Sequence, residues 1–172
     1  CSVAAILKGV LDFLSNELMK ARITVVTEYA ADLPPCRSDP TQLHQAFLNL
    51  IMNALQAMAQ AHGQGTLRVK ARLITDTETR GHGEGVTRGR GDGERWIEVR
   101  IQDDGPGIPP EHRAKLFEPF FTTKPVGEGT GLGLWTVHMI VTTLGGTVTC
   151  ESEMGQGATF IVRLPATEEL RD

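Results

Sequence analysis

Two asparagines stand four residues apart in an otherwise mostly apolar stretch. Asn49 and Asn53 lie within residues 43–54, where most neighbours are Leu, Ile, Met, Phe or Ala. A spacing of four places both side chains on one face of a helix. An amide among apolar residues costs free energy unless it is hydrogen-bonded, and its oxygen is a suitable ligand for Mg²⁺ beside phosphate oxygens. The pair predicts either a site for magnesium and phosphate or two solvated helix residues.

A carboxylate followed by two glycines comes directly after an alternating, strand-like stretch. Residues 103–108 begin with Asp103 and contain Gly105 and Gly107. A carboxylate at a strand end can accept a hydrogen bond from an exocyclic amine, and glycine backbone lets a flat ring approach closely. Taken alone, the segment could also be a plain turn.

A second glycine-rich segment, residues 127–134, leads into an apolar, helix-like stretch. The start of a helix offers free backbone N–H groups and the positive end of the helix dipole to phosphate. The segment lacks the Gly-Lys-Ser/Thr ending of the Walker A motif. Its glycine spacing also differs from the Rossmann fingerprint, and no βαβ unit surrounds it.

Residues 116–124, which contain three phenylalanines and one cation, lie between these two segments. Phe117, Phe120 and Phe121 fall within five positions, and Lys124 follows them. The aromatics predict either a loop pinned to the core or a lid hinged at the flanking glycines. Lys124 is a suitable cation for a polyphosphate, although a solvated surface lysine has the same sequence signature.

The periodicity of apolar residues predicts the elements that must position these groups. Asp39 and Pro40 are typical of a helix start, and Gly63 and Gly65 of its end. The order of elements predicts an α/β two-layer sandwich, with helices on one face of a mixed, mostly antiparallel sheet. Predicted helices cover residues 3–20, 40–61 and 132–144, and predicted strands cover residues 22–29, 66–74, 96–102, 146–152 and 158–164.

Composition limits the remaining possibilities. The 172 residues are the length of one domain, so we expect a single domain over residues 1–172. A net charge of -4 without a basic cluster argues against a nucleic-acid surface, and three cysteines do not make a disulfide framework. Residues 129–150 lack charged side chains, but their glycines and threonines favour a buried helix and turn over a membrane span. Residues 75–95 are rich in glycine and charge, which predicts a flexible inter-strand loop.

Together, these groups and residues 155–160 resemble, in order and separation, the N, G1, F, G2 and G3 boxes of sensor histidine kinases. Those boxes belong to the ATP-binding catalytic domain, within the GHKL superfamily that also includes gyrase-type and chaperone ATPases. Residues 118–124 and 53–58 are similar to the nitrogen-regulation-like subgroup. The resemblance implies a Bergerat-type fold of about five strands and three helices, with a glycine-rich ATP lid over residues 105–130.

The resemblance also implies roles for individual residues. Asn53 would ligate the Mg²⁺ on ATP, Asp103 would hold the adenine amine, and Thr159 would lie beneath the adenine end. Catalytic roles would fall to Asn49, Asn53 and Lys124. The implied nucleotide contacts are Asn53, Asp103, Gly105, Gly107, Phe120, Thr122, Thr123, Lys124, Gly129, Thr130, Gly131, Leu132, Gly133 and Thr159.

Asn49 bears on the reaction, because it stands where the gyrase-like and chaperone relatives carry a water-activating glutamate. An amide cannot accept a proton as a carboxylate does, so hydrolysis should be slow. None of the five histidines is followed by an acidic residue, as the phosphoaccepting histidine of these kinases normally is. The resemblance therefore implies transfer of the γ-phosphoryl group of MgATP to a histidine on a separate dimerisation domain, and from there to a response regulator.

Three alternatives remain at this stage: a hydrolytic GHKL ATPase, a serine or threonine kinase of the same superfamily, and a non-catalytic nucleotide-binding module. Because the first residue is Cys1 rather than Met, we expect the chain to be a piece of a longer protein. We further expect a monomeric, cytoplasmic domain without nucleic-acid or membrane contacts, whose parent protein is either free or membrane-anchored.

Overall fold

The computed structural model describes residues 1–75, 94–124 and 129–167. The predicted flexible loop over residues 75–95 therefore lies outside the described residues, apart from its two ends. Residues 125–128, within the predicted lid, also lie outside them. Along the chain, the elements are α1 (Val3–Phe13), α2 (Ser15–Lys20), β1 (Ile23–Tyr29), α3 (Pro40–His62), β2 (Gly65–Thr75), β3 (Arg95–Gln102), α4 (Pro110–Arg113), α5 (Gly133–Thr143), β4 (Thr147–Glu153) and β5 (Gly157–Pro165).

The five strands form one sheet in the order β1-β2-β3-β5-β4. The pair β1 and β2 is parallel, and the other three neighbouring pairs are antiparallel. The predicted mixed, mostly antiparallel sheet is thus confirmed. β2 and β3 pair as the expected antiparallel neighbours, with Val69 opposite Ile101.

The helix α3 begins and ends as its sequence predicts. The Asp39 carboxylate accepts a hydrogen bond from the Thr41 N–H at 2.8 Å, and Pro40 occupies the first turn. Gly63 ends the helix with a φ of 66°, the left-handed conformation that glycine adopts without strain.

The predicted single helix over residues 3–20 is wrong in one detail. It is divided into α1 and α2 at Leu14, whose ψ of 7° departs from the helical value. The apolar spacing continues through the break, because Val10, Leu14 and Leu18 are all buried. Periodicity alone could not detect the interruption. The first strand also begins one residue later than predicted, since Arg22 has a φ of 56°.

One face of the sheet packs against the helices and holds the core. Side chains from all layers are fully buried there, including Leu7 of α1, Phe47 of α3 and Val137 of α5. α4, a single turn, lies in a segment that the sequence predicts to be irregular. No helix among the described residues has the length and apolar character needed to cross a membrane.

The opposite face of the sheet carries a buried ionic cluster. Glu98 is 1% exposed and is surrounded by three arginines. Arg72 and Arg100 donate to its Oε1 at 3.1 and 2.9 Å, and Arg163 donates to its Oε2 at 3.0 Å. Burial opposes ionisation of Glu98, but the three arginines outweigh it and lower the pKa of the carboxyl.

Strand pairing gathers separate parts of the sequence at one end of the sheet. Gln102, the last residue of β3, lies opposite Arg68 near the start of β2 and opposite Thr159 near the start of β5. The turn between β4 and β5 lies at the same end. The segment after β3 therefore meets this turn beside α3.

Candidate functional site

A cavity of about 700 Å³ opens at this end of the sheet. Its walls are α3, the segment 103–108 (the Asp103 loop), the segment 120–133 (the Lys124 loop, described except for residues 125–128), and the start of β5. This volume lies within the range of small-molecule and cofactor sites. The cavity thus brings together residues from all four groups of the sequence that could do chemistry.

Asp103 lies on the cavity wall directly after β3 and is 4% exposed. Its Oδ1 accepts hydrogen bonds from the Gly105 N–H at 2.9 Å and the Ala158 N–H at 3.3 Å. All hydrogen bonds that described residues make to this carboxylate reach Oδ1, which leaves Oδ2 for a ligand. Burial raises the pKa of Asp103, and the negative charge of Asp104 adds to the effect, against the two backbone hydrogen bonds.

Two close backbone contacts near Asp103 explain why glycine occupies positions 107 and 157. Gly107 has a φ of 81°, and a Cβ there would overlap the Glu153 carbonyl. Gly157, in the turn between β4 and β5, has a φ of 85°, and a Cβ there would overlap the Asp103 carbonyl. The Asp103 loop and the turn can pack together only because neither position carries a side chain.

α3 supplies the amide wall of the cavity. Asn49 and Asn53 both line it, as their spacing predicts. Asn49 is hydrogen-bonded on both sides: its Oδ1 accepts from Gln45 Nε2 at 3.0 Å, and its Nδ2 donates to the Gly133 carbonyl at 3.3 Å. The half-buried Asn53 has no side-chain hydrogen bond to any described residue. The Asn53 amide is therefore free to bind a ligand.

The Lys124 loop forms the opposite wall. The Phe120 N–H donates to the Gly131 carbonyl at 2.9 Å, and the Thr122 hydroxyl accepts from the Lys124 N–H at 3.1 Å. The Lys124 ammonium reaches across the cavity and donates to Gln56 Oε1 on α3. The loop ends at the first turn of α5, where free N–H groups favour an anion.

Most of the predicted site residues lie together on the cavity wall. Gly105 does not line the cavity, although its N–H holds Asp103. Phe120 has a φ of 65° and a side chain that is 75% exposed, outside the lining. Leu132 also lies outside the lining, as the N-cap of α5. The predicted residues on the wall are Asn49, Asn53, Asp103, Gly107, Thr122, Thr123, Lys124, Gly129, Thr130, Gly131 and Gly133.

Thr159, which is predicted to lie beneath the adenine end, is outside the cavity lining. Ala158 and Phe160 line the cavity, whereas Thr159 does not. Successive side chains of a strand point to opposite faces, so Thr159 lies on the face of the sheet that carries Arg163 and Glu98. The alternation within β5 could have shown this, because Phe160, Val162 and Leu164 form the apolar face.

Several wall residues were not predicted. Gln56 lies three residues after Asn53, so helical spacing could have identified it. His112 of α4 also lines the cavity, and its ring packs edge-on against Phe121 with 5.6 Å between ring centroids. No sequence pattern predicted α4, because four residues are too few to show a period.

The other described histidines lie away from the cavity. His44 packs edge-on against Phe13, with 6.2 Å between centroids, and His138 packs against Phe117 at 5.9 Å. His62 is the last residue of α3. His82 lies outside the described residues.

Comparison with protein families gives independent evidence about this chain. The family model of histidine kinase-, DNA gyrase B- and HSP90-like ATPases matches residues 38–168. This match covers α3, all the cavity walls and four of the five strands.

Curated relatives include sensor kinases of several bacteria. The chain is 37% identical over 155 residues to the sensor kinase CckA of Brucella abortus, covering 90% of the chain and 16% of the relative. It is 40% identical over 152 residues to the sensory histidine kinase/phosphatase NtrB of Rhodobacter capsulatus, covering 87% of the chain and 39% of the relative. The chain thus spans less than half the length of these relatives.

Solved structures share the fold. Full-length ShkA in complex with AMPPNP superposes with a TM-score of 0.75 and 27% identity, covering 98% of the chain and 31% of that structure. The catalytic domain of the histidine kinase ThkA superposes with a TM-score of 0.72 and 26% identity, covering 95% of the chain and 92% of that structure. The five-stranded mixed sheet with its helical layer is therefore that of histidine kinase catalytic domains.

Proposed function

The chain belongs to the family of histidine kinase-, DNA gyrase B- and HSP90-like ATPases, and we propose that it binds MgATP and donates the γ-phosphoryl group to a histidine on another domain. That domain is the dimerisation domain of a two-component sensor kinase, from which the phosphoryl group passes to a response regulator. The proposal is supported by the sensor kinases among its relatives.

One observation carries the nucleotide assignment: the buried Asp103 and the cationic Lys124 line the same cavity. Asp103 Oδ2 can accept a hydrogen bond from the exocyclic amine of adenine, while Ala158 and Phe160 offer apolar contact to the ring. Lys124 and the first turn of α5 offer positive charge to the phosphates. The cavity thus has the two chemically distinct ends that a nucleoside triphosphate requires.

The residues present fit a magnesium ion on the phosphates. Asn53 offers a free amide oxygen at the cavity wall, and this hard neutral ligand suits Mg²⁺ held mainly by phosphate oxygens and water. No group of three or more His, Cys, Asp or Glu that could hold a metal occurs in the described parts of the chain. The ion, when bound with ATP, would neutralise phosphate charge during transfer.

Asn49 favours transfer over hydrolysis. Its amide oxygen already accepts from Gln45, and its amide nitrogen already donates to Gly133. An amide in this position cannot act as a base toward water. A neutral imidazole is itself a nucleophile, so the domain needs chiefly to position ATP and neutralise its charge.

The phosphoacceptor must come from outside this chain, because no histidine is followed by an acidic residue. We take residues 1–172 as one catalytic domain that acts as a monomer on its own. Its site belongs to the cytoplasm, where ATP is available, and the parent protein is either free or membrane-anchored.

Mixing the chain with a separate dimerisation-histidine domain and γ-labelled ATP tests the proposal. We expect label on the added domain, none on the chain itself, and little free phosphate. Asn53→Ala should abolish the transfer. Label on a histidine of this chain, or rapid phosphate release without the added domain, would contradict the proposal.

A further inference from the structure

Lys124 does not extend into open space but contacts the opposite wall of the cavity. Its Nζ donates to Gln56 Oε1, which joins residues 68 positions apart in the sequence. Both residues line the cavity. This contact connects the Lys124 loop to α3, as does the bond from Asn49 Nδ2 to the Gly133 carbonyl at the end of the loop.

Gln56 extends the row of amides on α3. Asn49, Asn53 and Gln56 are spaced by four and three residues, which places them along one face of the helix. The Lys124 ammonium is therefore held one helical turn from Asn53. We place Asn53 as the residue that binds the magnesium ion on the phosphates.

The backbone around Lys124 is arranged for this reach. The Lys124 N–H donates to the Thr122 hydroxyl at 3.1 Å. A Cβ on Gly129 would lie 3.0 Å from Lys124 Cδ and 3.1 Å from its Cβ. The aliphatic part of the Lys124 side chain passes close to Gly129. A larger residue at position 129 would therefore fit only if the lysine moved.

We propose that Gln56 is a positioning residue that holds the Lys124 ammonium at the phosphate end of the cavity. An ammonium has three N–H donors, so a bond to one amide oxygen leaves two for phosphate. Fixing the lysine before the nucleotide arrives lowers the entropy lost on binding. This role rests on the proposed ATP site.

The chemistry of glutamine suits this task. Its carbonyl attracts the ammonium without cancelling its charge. A carboxylate at the same position would pair with Lys124 and repel the phosphates. A neutral acceptor thus positions the cation and leaves its charge available to the nucleotide.

A double-mutant cycle on the chain tests the inference, with MgATP and adenosine as probes. Gln56→Ala should weaken MgATP binding about fivefold, the size expected for a partly exposed charged hydrogen bond. Adenosine, which lacks phosphates, should bind unchanged. Once Lys124→Ala is present, Gln56→Ala should have no further effect. Gln42→Ala, on the exposed first turn of α3 outside the cavity, is the matched control and should change neither affinity.

Two further variants keep the test decisive if alanine disturbs α3. Gln56→Met retains the side-chain length and helix propensity without the carbonyl, and should behave like Gln56→Ala. Gln56→Glu should weaken MgATP binding more than either. Additive effects of the Gln56 and Lys124 substitutions, or equal losses for adenosine and MgATP, would overturn the inference. Failure of the unmodified chain to bind MgATP would instead refute the proposed function.

Discussion

The two ends of the cavity are held in place by different kinds of contact. At the Asp103 loop, hydrogen bonds connect segments distant in sequence. The Ile108 N–H donates to Ser152 Oγ at 2.8 Å, and the Gly155 N–H donates to the Pro106 carbonyl at 2.8 Å. These bonds join the Asp103 loop to the turn between β4 and β5, so this end forms as the sheet forms.

The Lys124 loop is held more locally. The Thr122 hydroxyl accepts from an N–H two residues away, and Phe120 bonds to Gly131 within the same loop. Its described side-chain bonds to α3 are the one from Lys124 to Gln56 and the one from Asn49 to the Gly133 carbonyl, where the loop meets α5. Substitutions at the Asp103 end should therefore reduce stability and binding together, whereas those in the Lys124 loop should reduce binding alone.

The largest expected effect is on folding, from Gly157→Ala. A Cβ there would overlap the Asp103 carbonyl, and the φ of 85° is strained for alanine. Overlap and strain together should lower the free energy of unfolding by about 3 kcal/mol. Gly155→Ala is the matched control, because its φ is 82° but no atom of a described residue lies within 4 Å of a Cβ there. It should cost about 1 kcal/mol. Urea unfolding measures the free energy of unfolding of both variants. Equal losses in the two would show that the packing of this turn is not tight.

Asp103→Asn should have the largest effect on binding. An asparagine can keep Oδ1 for the two backbone N–H groups, but it then presents an NH₂ group to the adenine amine, where two donors meet. We expect ATP affinity to fall about 30- to 100-fold, which corresponds to losing a charged hydrogen bond. Asp104→Asn is the control, since Asp104 accepts from the Thr66 N–H outside the cavity lining. Unchanged ATP affinity in Asp103→Asn, measured by calorimetry, would refute the adenine contact.

The same carboxyl should make binding sensitive to pH. Because burial raises its pKa in the folded protein, Asp103 takes up a proton at a higher pH than an ordinary aspartate. Protonation removes the acceptor that adenine needs, so ATP affinity should fall as pH is lowered through this raised pKa. The fall should approach about tenfold per pH unit below it. Asp103→Asn should remove this dependence, and a flat profile in the unmodified chain would contradict it.

The raised pKa of Asp103 affects stability in the direction opposite to its effect on ATP affinity. A folded-state pKa above the unfolded one means that ionised Asp103 costs stability at neutral pH, and the cost is relieved as pH falls. Glu98 behaves in the reverse way. The pKa of Glu98 is lowered despite its burial, so its contribution is present above the ordinary glutamate pKa and is lost as pH falls through the lowered value.

Some parts of the structure follow from the sequence more directly than others. Local signals sufficed for α3, where Asp39 and Gly63 mark its limits, and for the sheet, whose strands alternate clearly. The pairing of Asn49 and Asn53 on one wall follows from helical spacing alone. Motif order then predicts that Asp103 and Lys124 share a cavity, although they lie 21 positions apart.

Details that depend on which face a strand presents, or on contacts between distant segments, were not predictable in the same way. The motif predicts Thr159 beneath the adenine end, whereas the alternation of β5 puts Ala158 rather than Thr159 on the cavity wall. The bond between Lys124 and Gln56 depends on how a loop crosses to a helix, which no local pattern encodes. The division of the first helix at Leu14 leaves the apolar spacing intact, so the periodicity of the sequence does not reveal it either.

Ser152→Ala should lower the stability of the Asp103 end by less than Gly157→Ala does. Ser152 accepts from Ile108 and donates to the Gly157 carbonyl at 2.8 Å while only 8% exposed. Its loss leaves a partly buried N–H without a partner, so we expect a loss of about 1–2 kcal/mol in stability. Thr143→Ala removes an exposed hydroxyl bonded within α5 and should stay within about 0.5 kcal/mol. Unfolding by urea measures both.

The smallest effect should come from the Lys124 loop, by removing a comparable hydroxyl there. Thr122 is exposed, and among the described residues its hydroxyl accepts from the Lys124 N–H alone. Water can replace that bond, so Thr122→Ala should change the free energy of unfolding by less than about 0.5 kcal/mol. It should nevertheless weaken MgATP binding about two- to threefold, because Lys124 loses part of its backbone support. A stability loss as large as that of Ser152→Ala would mean that the two ends of the cavity fold as one unit, and that the division between a folded base end and a locally held phosphate end is wrong.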